Sequence, residues 1–294
     1  MRNTRKTSFS HAAYASFRPS YPPDLYARVL SYHKGDRKLC VDLGCGHGVI
    51  SQALSGEFDK IYGVDPSSGM TEQAKSLTTQ KNIEFVQSVA ESLFFLPDQS
   101  VDLAVSGEAA HWFDYTRLFP ELHRVMKPGG SMAFWAYADH TYVDYPKATA
   151  ILRHYSCADD KELLGPYWPQ PGRSILRGKL RTIRPPEDEW SDIQRVEYEP
   201  GVKGAVSGEG TKLMDREVTL DQSMEYVRTW SSYHGWTEAH PEQKRRSEGG
   251  EGDVVDRMLD EMVASEEELR DSPSVLDRTV RIEWGTALIL ARKL

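Results

Sequence analysis

Apolar positions in the first half of the chain recur with two alternating periods. Leu39, Val41 and Leu43 occupy every second position of 38–43, with Cys40 and Asp42 between them, which predicts a strand. Strands are likewise predicted over 60–64, 83–87, 101–106 and 131–137. Between them, Leu118, Leu122 and Val125 fall at helical spacing within 115–126. Further helices are predicted over 49–56 and 68–77, the second capped by Ser67 or Ser68. An earlier helix opens at Pro22 and Pro23, carries Leu25, Val29 and Leu30, and stops before Gly35. Lys127, Pro128, Gly129 and Gly130 read as a turn. Strands alternating with short helices imply βαβ units and an α/β fold with a doubly wound, mostly parallel sheet.

Past position 137 this alternation ends. Residues 138–191 are rich in aromatics, Pro and Arg and read as helical pieces in a lid insertion. A strand is predicted over 193–198, a helix over 220–233, a flexible acidic loop over 247–253, an acidic amphipathic helix over 254–269 and a terminal strand over 280–290. The chain thus divides into an N-terminal helical lid segment (1–35), a ligand-binding core (36–137), the lid insertion (138–191), and the rest of the sheet with two helices (192–294).

Composition narrows the class. The 294 residues carry 36 Lys plus Arg against 44 Asp plus Glu, a net charge of −8, so a nucleic-acid partner is disfavoured. No apolar run reaches the roughly 18–20 residues that cross a bilayer, so no membrane partner is expected. Cys40, Cys45 and Cys157 form neither a disulfide framework nor a zinc spacing. No metal is expected, and a reducing, cytoplasmic compartment fits. The acid-free start with Arg2, Arg5, Lys6 and Arg18 leaves a mitochondrial presequence as the competing reading.

The chemistry concentrates after the first strand. Gly44, Cys45, Gly46, His47 and Gly48 follow Asp42 at a strand-to-helix junction, where glycines let the backbone turn sharply and a ligand approach it. Asp65 ends the next predicted strand, the place where a doubly wound fold sets an acid for ribose hydroxyls. The Gly-x-Gly-x-Gly spacing departs from the dinucleotide fingerprint. Asp42 beside the turn would also repel a pyrophosphate and attract a cationic, amino-bearing ligand. Cys45 reads as a small buried thiol rather than a nucleophile, with no base paired to it.

On these residues, 36–137 resembles the class I S-adenosylmethionine-dependent methyltransferases. Phe9–Tyr14, Phe17–Pro22, Ala109–Asp114, Phe134–Tyr137, Gly165–Pro169 and Tyr226–Trp230 resemble, more narrowly, the trans-aconitate methyltransferase branch of small-molecule enzymes. The resemblance implies a Rossmann-like sheet of seven strands and S-adenosyl-L-methionine as cofactor, leaving as S-adenosyl-L-homocysteine. It implies that Asp42, Gly44, Cys45 and Gly46 hold the methionine part. Asp65 takes the ribose hydroxyls, Pro66 or Met70 packs on the adenine, and Ala90 and Glu91 border it. Val89 stands where the family often has Asp. Glu108 faces the methionine end or the donor sulfonium, and Tyr14, Arg18 and Tyr21 close over the cofactor.

For the acceptor, His111 and Trp112 follow the fourth strand and are the candidate catalytic residues. His111 serves as base if the acceptor is a hydroxyl; a carboxylate acceptor needs none. Trp135, Tyr137, Trp168, Arg173, Trp230, Tyr233 and His234 are the candidate substrate residues. Arg173, Arg177 and Arg181 at four-residue spacing form either a basic stripe toward an anionic substrate or a solvated face paired with nearby acids. The expected reaction is methyl transfer to an oxygen of a small metabolite. The alternative keeps the bound sulfonium as an electrostatic element for a cyclisation or isomerisation without methyl transfer.

Overall fold

The computed structural model describes residues 20–201 and 208–294. Tyr14 and Arg18 lie outside the described residues. Five parallel strands, β1 (Leu39–Leu43), β2 (Lys60–Asp65), β3 (Ile83–Gln87), β4 (Val101–Gly107) and β5 (Met126–Tyr142), pair in the order β3-β2-β1-β4-β5. The terminal strand β9 (Thr279–Lys293) runs antiparallel to β5, and β6 (Trp190–Glu199) antiparallel to β9. Six of these seven strands therefore share a direction. Their order reverses between β1 and β4, and it is at such a switch point, beyond the strands' carboxyl ends, that α/β sheets open a ligand crevice.

Two more strands join the expected seven. The short β7 (Glu209–Gly210) pairs with β6, and β8 (Asp215–Thr219) with β9. They carry no alternating pattern because they are edge pieces, with Val218 their one buried residue. Only the pairing partner makes them strands.

Alternation sorts the sheet residues onto two faces. Val41, Leu43, Ala104, Met132 and Phe134 pack on one side with helix α4 (Tyr115–Val125), through Leu118, Phe119, Leu122 and Val125. Cys40, Leu103, Val105, Ala133 and Trp135 face the other with α1 (Pro23–Tyr32), through Leu25, Val29 and Tyr32. The helix after the glycine turn, α2 (Val49–Ala53), is shorter than expected. The next, α3 (Ser68–Leu77), takes Ser67 as its cap, whose hydroxyl accepts from the Met70 amide.

The cap over the sheet is built from two stretches of chain. Helix α5 (Pro146–Cys157) shares one apolar cluster with α7 (Leu220–Arg228), α8 (Ser231–Ala239) and α9 (Val254–Ser265). So 138–191 does not form the lid alone. The helix expected over 220–233 breaks at Trp230, which is extended and 3% exposed. The helix expected over 254–269 breaks at Glu266, ahead of a final turn α10 (Glu267–Arg270). Glu266 leaves the helix because its carboxylate accepts from the Lys147 and Ala148 amides at the start of α5. The basic stripe also fails as a helical feature. Helix α6 (Gly172–Arg177) ends before Arg181, which pairs instead with Glu197 on β6. Among the described residues, no helix is long and apolar enough to cross a membrane.

Candidate functional site

The glycine turn hangs from the end of β2. The Gly44 and Cys45 amides both donate to the Val64 carbonyl, at 2.7 and 2.9 Å. Gly44, Gly46 and Gly48 hold φ of +68°, +53° and +86°, the left-handed region that side chains avoid. A Cβ on Gly44 would lie 2.3 Å from that of Ala109, whereas one on Gly46 would meet nothing within 4 Å. The first glycine permits close packing against the end of β4, and the second leaves open room above the backbone. Asp65 ties this turn to the next loop: its carboxylate accepts from the Gly46 amide at 3.0 Å and the Ser67 amide at 2.9 Å.

The room opens into a cleft of about 400 Å³. Gly44, Cys45, Gly46, Asp65 and Met70 line it, and Glu108, Trp112, Tyr21 and Tyr137 face them across the switch point. Glu108 follows Gly107 at the end of β4 with φ +56°, a strained conformation for a side-chain-bearing residue. Its carboxylate accepts from the Tyr137 amide, and its own amide donates to Trp135. Gly107 is required there, since a Cβ would come within 2.6 Å of Ile50, 2.7 Å of the Trp135 indole nitrogen and 2.8 Å of the Tyr21 hydroxyl. Gly107, His47, Val49, Ile50, Ser67 and Ala109 also line the cleft but are not among the ligand-binding residues expected from sequence. Their one signal is adjacency to the turn and to the strand ends.

Asp42 sits differently from the expectation. It is fully buried beneath the turn, outside the cleft wall. One of its oxygens accepts from the Ser51 amide at 3.0 Å and the Ser51 hydroxyl at 2.6 Å; the other has no hydrogen-bond partner among the described residues. Burial drives this carboxyl up to about 7 against the Ser51 hydrogen bonds, and the charge of Asp65 adds to the rise. A raised pKa stabilises the fold below the ordinary value of 3.8, and that contribution is lost as pH climbs towards 7. Asp42→Asn, which cannot ionise, should therefore gain on the wild type as pH rises from 5 to 8 in ligand-free thermal melts. The upper bound over this range is about 3 kcal/mol, at about 1.4 kcal/mol per pH unit up to the raised value near 7. A difference that stays flat with pH would show that the buried carboxyl keeps its ordinary titration.

Several other expected site residues lie outside the wall. Ala90 is buried in the sheet core, Glu91 accepts from the Asp114 amide, and Pro66 is exposed on the rim. Trp135, at 2% exposure, backs the cleft from behind Tyr21, with ring centroids 5.4 Å apart. His111 is 8% exposed, its ring 4.8 Å from that of Trp112, and both pack against Gly172 at the start of α6. Trp112 is 55% exposed and reaches the cleft; His111 is not part of its wall. Burial raises the Cys45 thiol well above its usual value, with the Asp42 and Asp65 charges adding to it, which removes its nucleophilic reading.

The remaining acceptor candidates belong to the cap's interior. Arg173 is 6% exposed, makes a two-pronged ion pair with Asp139 and stacks 3.9 Å over Trp168. The Trp168 indole donates to the Ser156 carbonyl. Trp230 packs against Trp168, and the Tyr233 hydroxyl donates to Asp253 at 2.6 Å. His234 adjoins Tyr233 in this packing, ring to ring at 6.2 Å. Trp230 and Tyr233 are buried and Trp168 and His234 half-buried because the cap needs a core, and of the seven candidate substrate residues only Tyr137 reaches the cleft.

A turn with open backbone at Gly46, a carboxylate at the end of β2 and another at the end of β4 fit a ligand with a diol at one end and a cationic centre at the other. Among the described residues no group of His, Cys, Asp and Glu could hold a metal ion. Residues 41–134 match the methyltransferase domain family. The malonyl-[acyl-carrier protein] O-methyltransferase of Priestia megaterium is 28% identical over 45% of this chain and 49% of its own. A solved structure described as a type II methyltransferase from Anaeromyxobacter dehalogenans superposes with a TM-score of 0.69, over 94% of this chain and 98% of that one at 24% identity, which shows a shared fold. The Saccharomyces cerevisiae protein CRG1, described as an S-adenosylmethionine-dependent methyltransferase, is 32% identical over 97% of this chain and 96% of its own length. A match of that identity and extent means that this chain belongs to the S-adenosylmethionine-dependent methyltransferases.

Proposed function

We propose that this enzyme transfers a methyl group to a carboxylate oxygen of a small, anionic metabolite. When bound, S-adenosylmethionine supplies an electrophilic methyl group on a positively charged sulfur. Asp65 would hold its ribose diol, the Gly44–Gly46 backbone its methionine part, and Glu108 its cationic end. Tyr21, Trp112 and Tyr137 line the facing wall, where they exclude water and align the acceptor. Alignment is what an in-line displacement chiefly needs.

The observation that carries the choice of acceptor is the position of His111. A hydroxyl must lose a proton on the way to an ether, and the imidazole expected to take it is buried outside the wall. The Glu108 carboxylate is engaged by the Tyr137 amide. A carboxylate acceptor is already ionised near neutral pH and needs no base. The O-methyltransferase among the relatives supports oxygen as the target. The net charge of −8 argues against a nucleic-acid acceptor.

The test uses methyl-labelled S-adenosylmethionine with a panel of small carboxylic acids and hydroxy compounds. Carboxylate transfer yields a methyl ester, which mild alkali splits to release labelled methanol. Label that resists alkali would move the reaction to a hydroxyl, and conversion of an acceptor without label uptake would overturn methyl transfer itself. In the same assay His111→Ala should retain turnover within about 10-fold of wild type, with the pH profile unchanged between 6 and 8. A loss of about 100-fold or more, with the imidazole limb gone from the profile, would restore His111 as the base.

A further inference from the structure

Directly after Tyr137 the chain enters the wall of a second pocket, of about 220 Å³. The pairing of β5 with β9 shifts register between Tyr137 and His140, and at that irregularity Ala138 and Asp139 form one wall. Arg153 of α5, Arg177 at the end of α6, Lys179 and Glu199 bring charge to it, beside Pro200 and Gly285. Four separate stretches of chain thus bring charged side chains to one concavity.

Its charges do not balance. Asp139 is taken up by Arg173 in the two-pronged pair described above. Glu199 pairs with Lys179, and Arg153 stands 4.0 Å from it. Arg177 has no carboxylate partner among the described residues. Four cations meet two carboxylates, in a chain whose net charge is −8. Lys179 is held in the pocket with its side chain only 10% exposed. Lys179 and Leu180 both take positive φ, +53° and +55°. Arg153 and Arg177 stand exposed at the pocket's mouth above the largely buried, paired Lys179, so the excess positive charge makes the concavity attractive to an anion.

We propose that this pocket binds a small polyanion, with its carboxylate or phosphate oxygens held by Arg153, Arg177 and Lys179. Arginine forks match such oxyanions two bonds at a time, and the compact ammonium of Lys179 neutralises a third position. The polyanion is either the far end of the acceptor or a separate effector. The site stands whichever reading of the methylated atom holds.

The full-length protein is titrated with citrate and with inorganic phosphate by calorimetry and thermal shift, with sodium chloride at matched ionic strength as reference. Citrate or phosphate should bind with a Kd of about 1 mM or tighter and raise Tm beyond the chloride reference. Arg177→Gln, at an exposed position, should weaken binding about 10-fold, and Arg177→Glu should abolish it. S-adenosylhomocysteine affinity in both variants should equal wild type, which confirms a folded chain and an intact cleft. Asp65→Ala should keep its phosphate and citrate binding, so failure of the cleft assignment and failure of this one read differently. With S-adenosylhomocysteine saturating, a changed citrate affinity assigns the pocket to the acceptor's anionic end, and an unchanged one to a separate effector. Binding no stronger than chloride, or equal affinities in Arg177→Gln and wild type, overturns the proposal.

Discussion

Asp65→Ala should lose at least about 100-fold in affinity for S-adenosylhomocysteine, measured by calorimetry. The carboxylate holds two backbone amides, Gly46 of the glycine turn and Ser67 of the loop after β2. Hydrogen bonds to a charged group contribute about 1.5–3 kcal/mol each, and the proposed ribose contacts add to them. Removing the side chain loses the ligand contact and frees the Gly46 amide that shapes the open turn. Asp65→Asn keeps one carbonyl oxygen and should fall between, near a 10-fold loss. The position is half-buried rather than core, so the fold should survive both changes. An alanine variant that binds as tightly as wild type would remove Asp65 from the cofactor site.

Asp253→Ala should lower stability by about 3–5 kcal/mol, the range for breaking a buried ion pair, or about 6–10 °C in Tm for a chain of this size. Asp253 is fully buried in the cap and accepts from Arg228, Tyr233 and the Asp256 amide that it caps. Arg228, 8% exposed, keeps Asp256 and Glu225 as partners, which points to the lower half of that range. Burial by itself would push the Asp253 carboxyl up; the hydrogen bonds and charge of Arg228 reverse this and hold it below the ordinary 3.8. A depressed pKa contributes stability above 3.8 that is lost as pH falls through the folded value. The gap between variant and wild type should therefore narrow below pH 4. The exposed pair of Arg246 with Asp260 is the control: breaking it should cost less than about 1 kcal/mol. Equal melting of Asp253→Ala and wild type would mean that the buried network contributes nothing net.

The parts of the site legible in the sequence were those that backbone chemistry dictates. Gly44 and Gly46 announce a left-handed turn, and Asp65 announces the end of the second strand. Both follow from local rules that hold wherever the chain sits. The aromatic and basic residues were legible only as types. Trp230, Tyr233 and Arg173 look the same in a sequence whether they meet a ligand or one another. Here they meet one another, because two distant helical segments need a common core.

Alternating apolar periods, read along the chain alone, determined the five parallel strands, the helices between them and the crevice at the carboxyl ends of β1 and β4. Hydrophobic spacing settles which face each element buries, and right-handed crossovers leave few ways to stack them. Tertiary structure alone decided which charges are spent and which remain. Asp42 lies buried under its turn and His111 outside the wall. Arg173 is consumed by Asp139, while Arg177 is left over beside it. Those outcomes depend on partners more than thirty positions away or on another element, and no local periodicity carries that information.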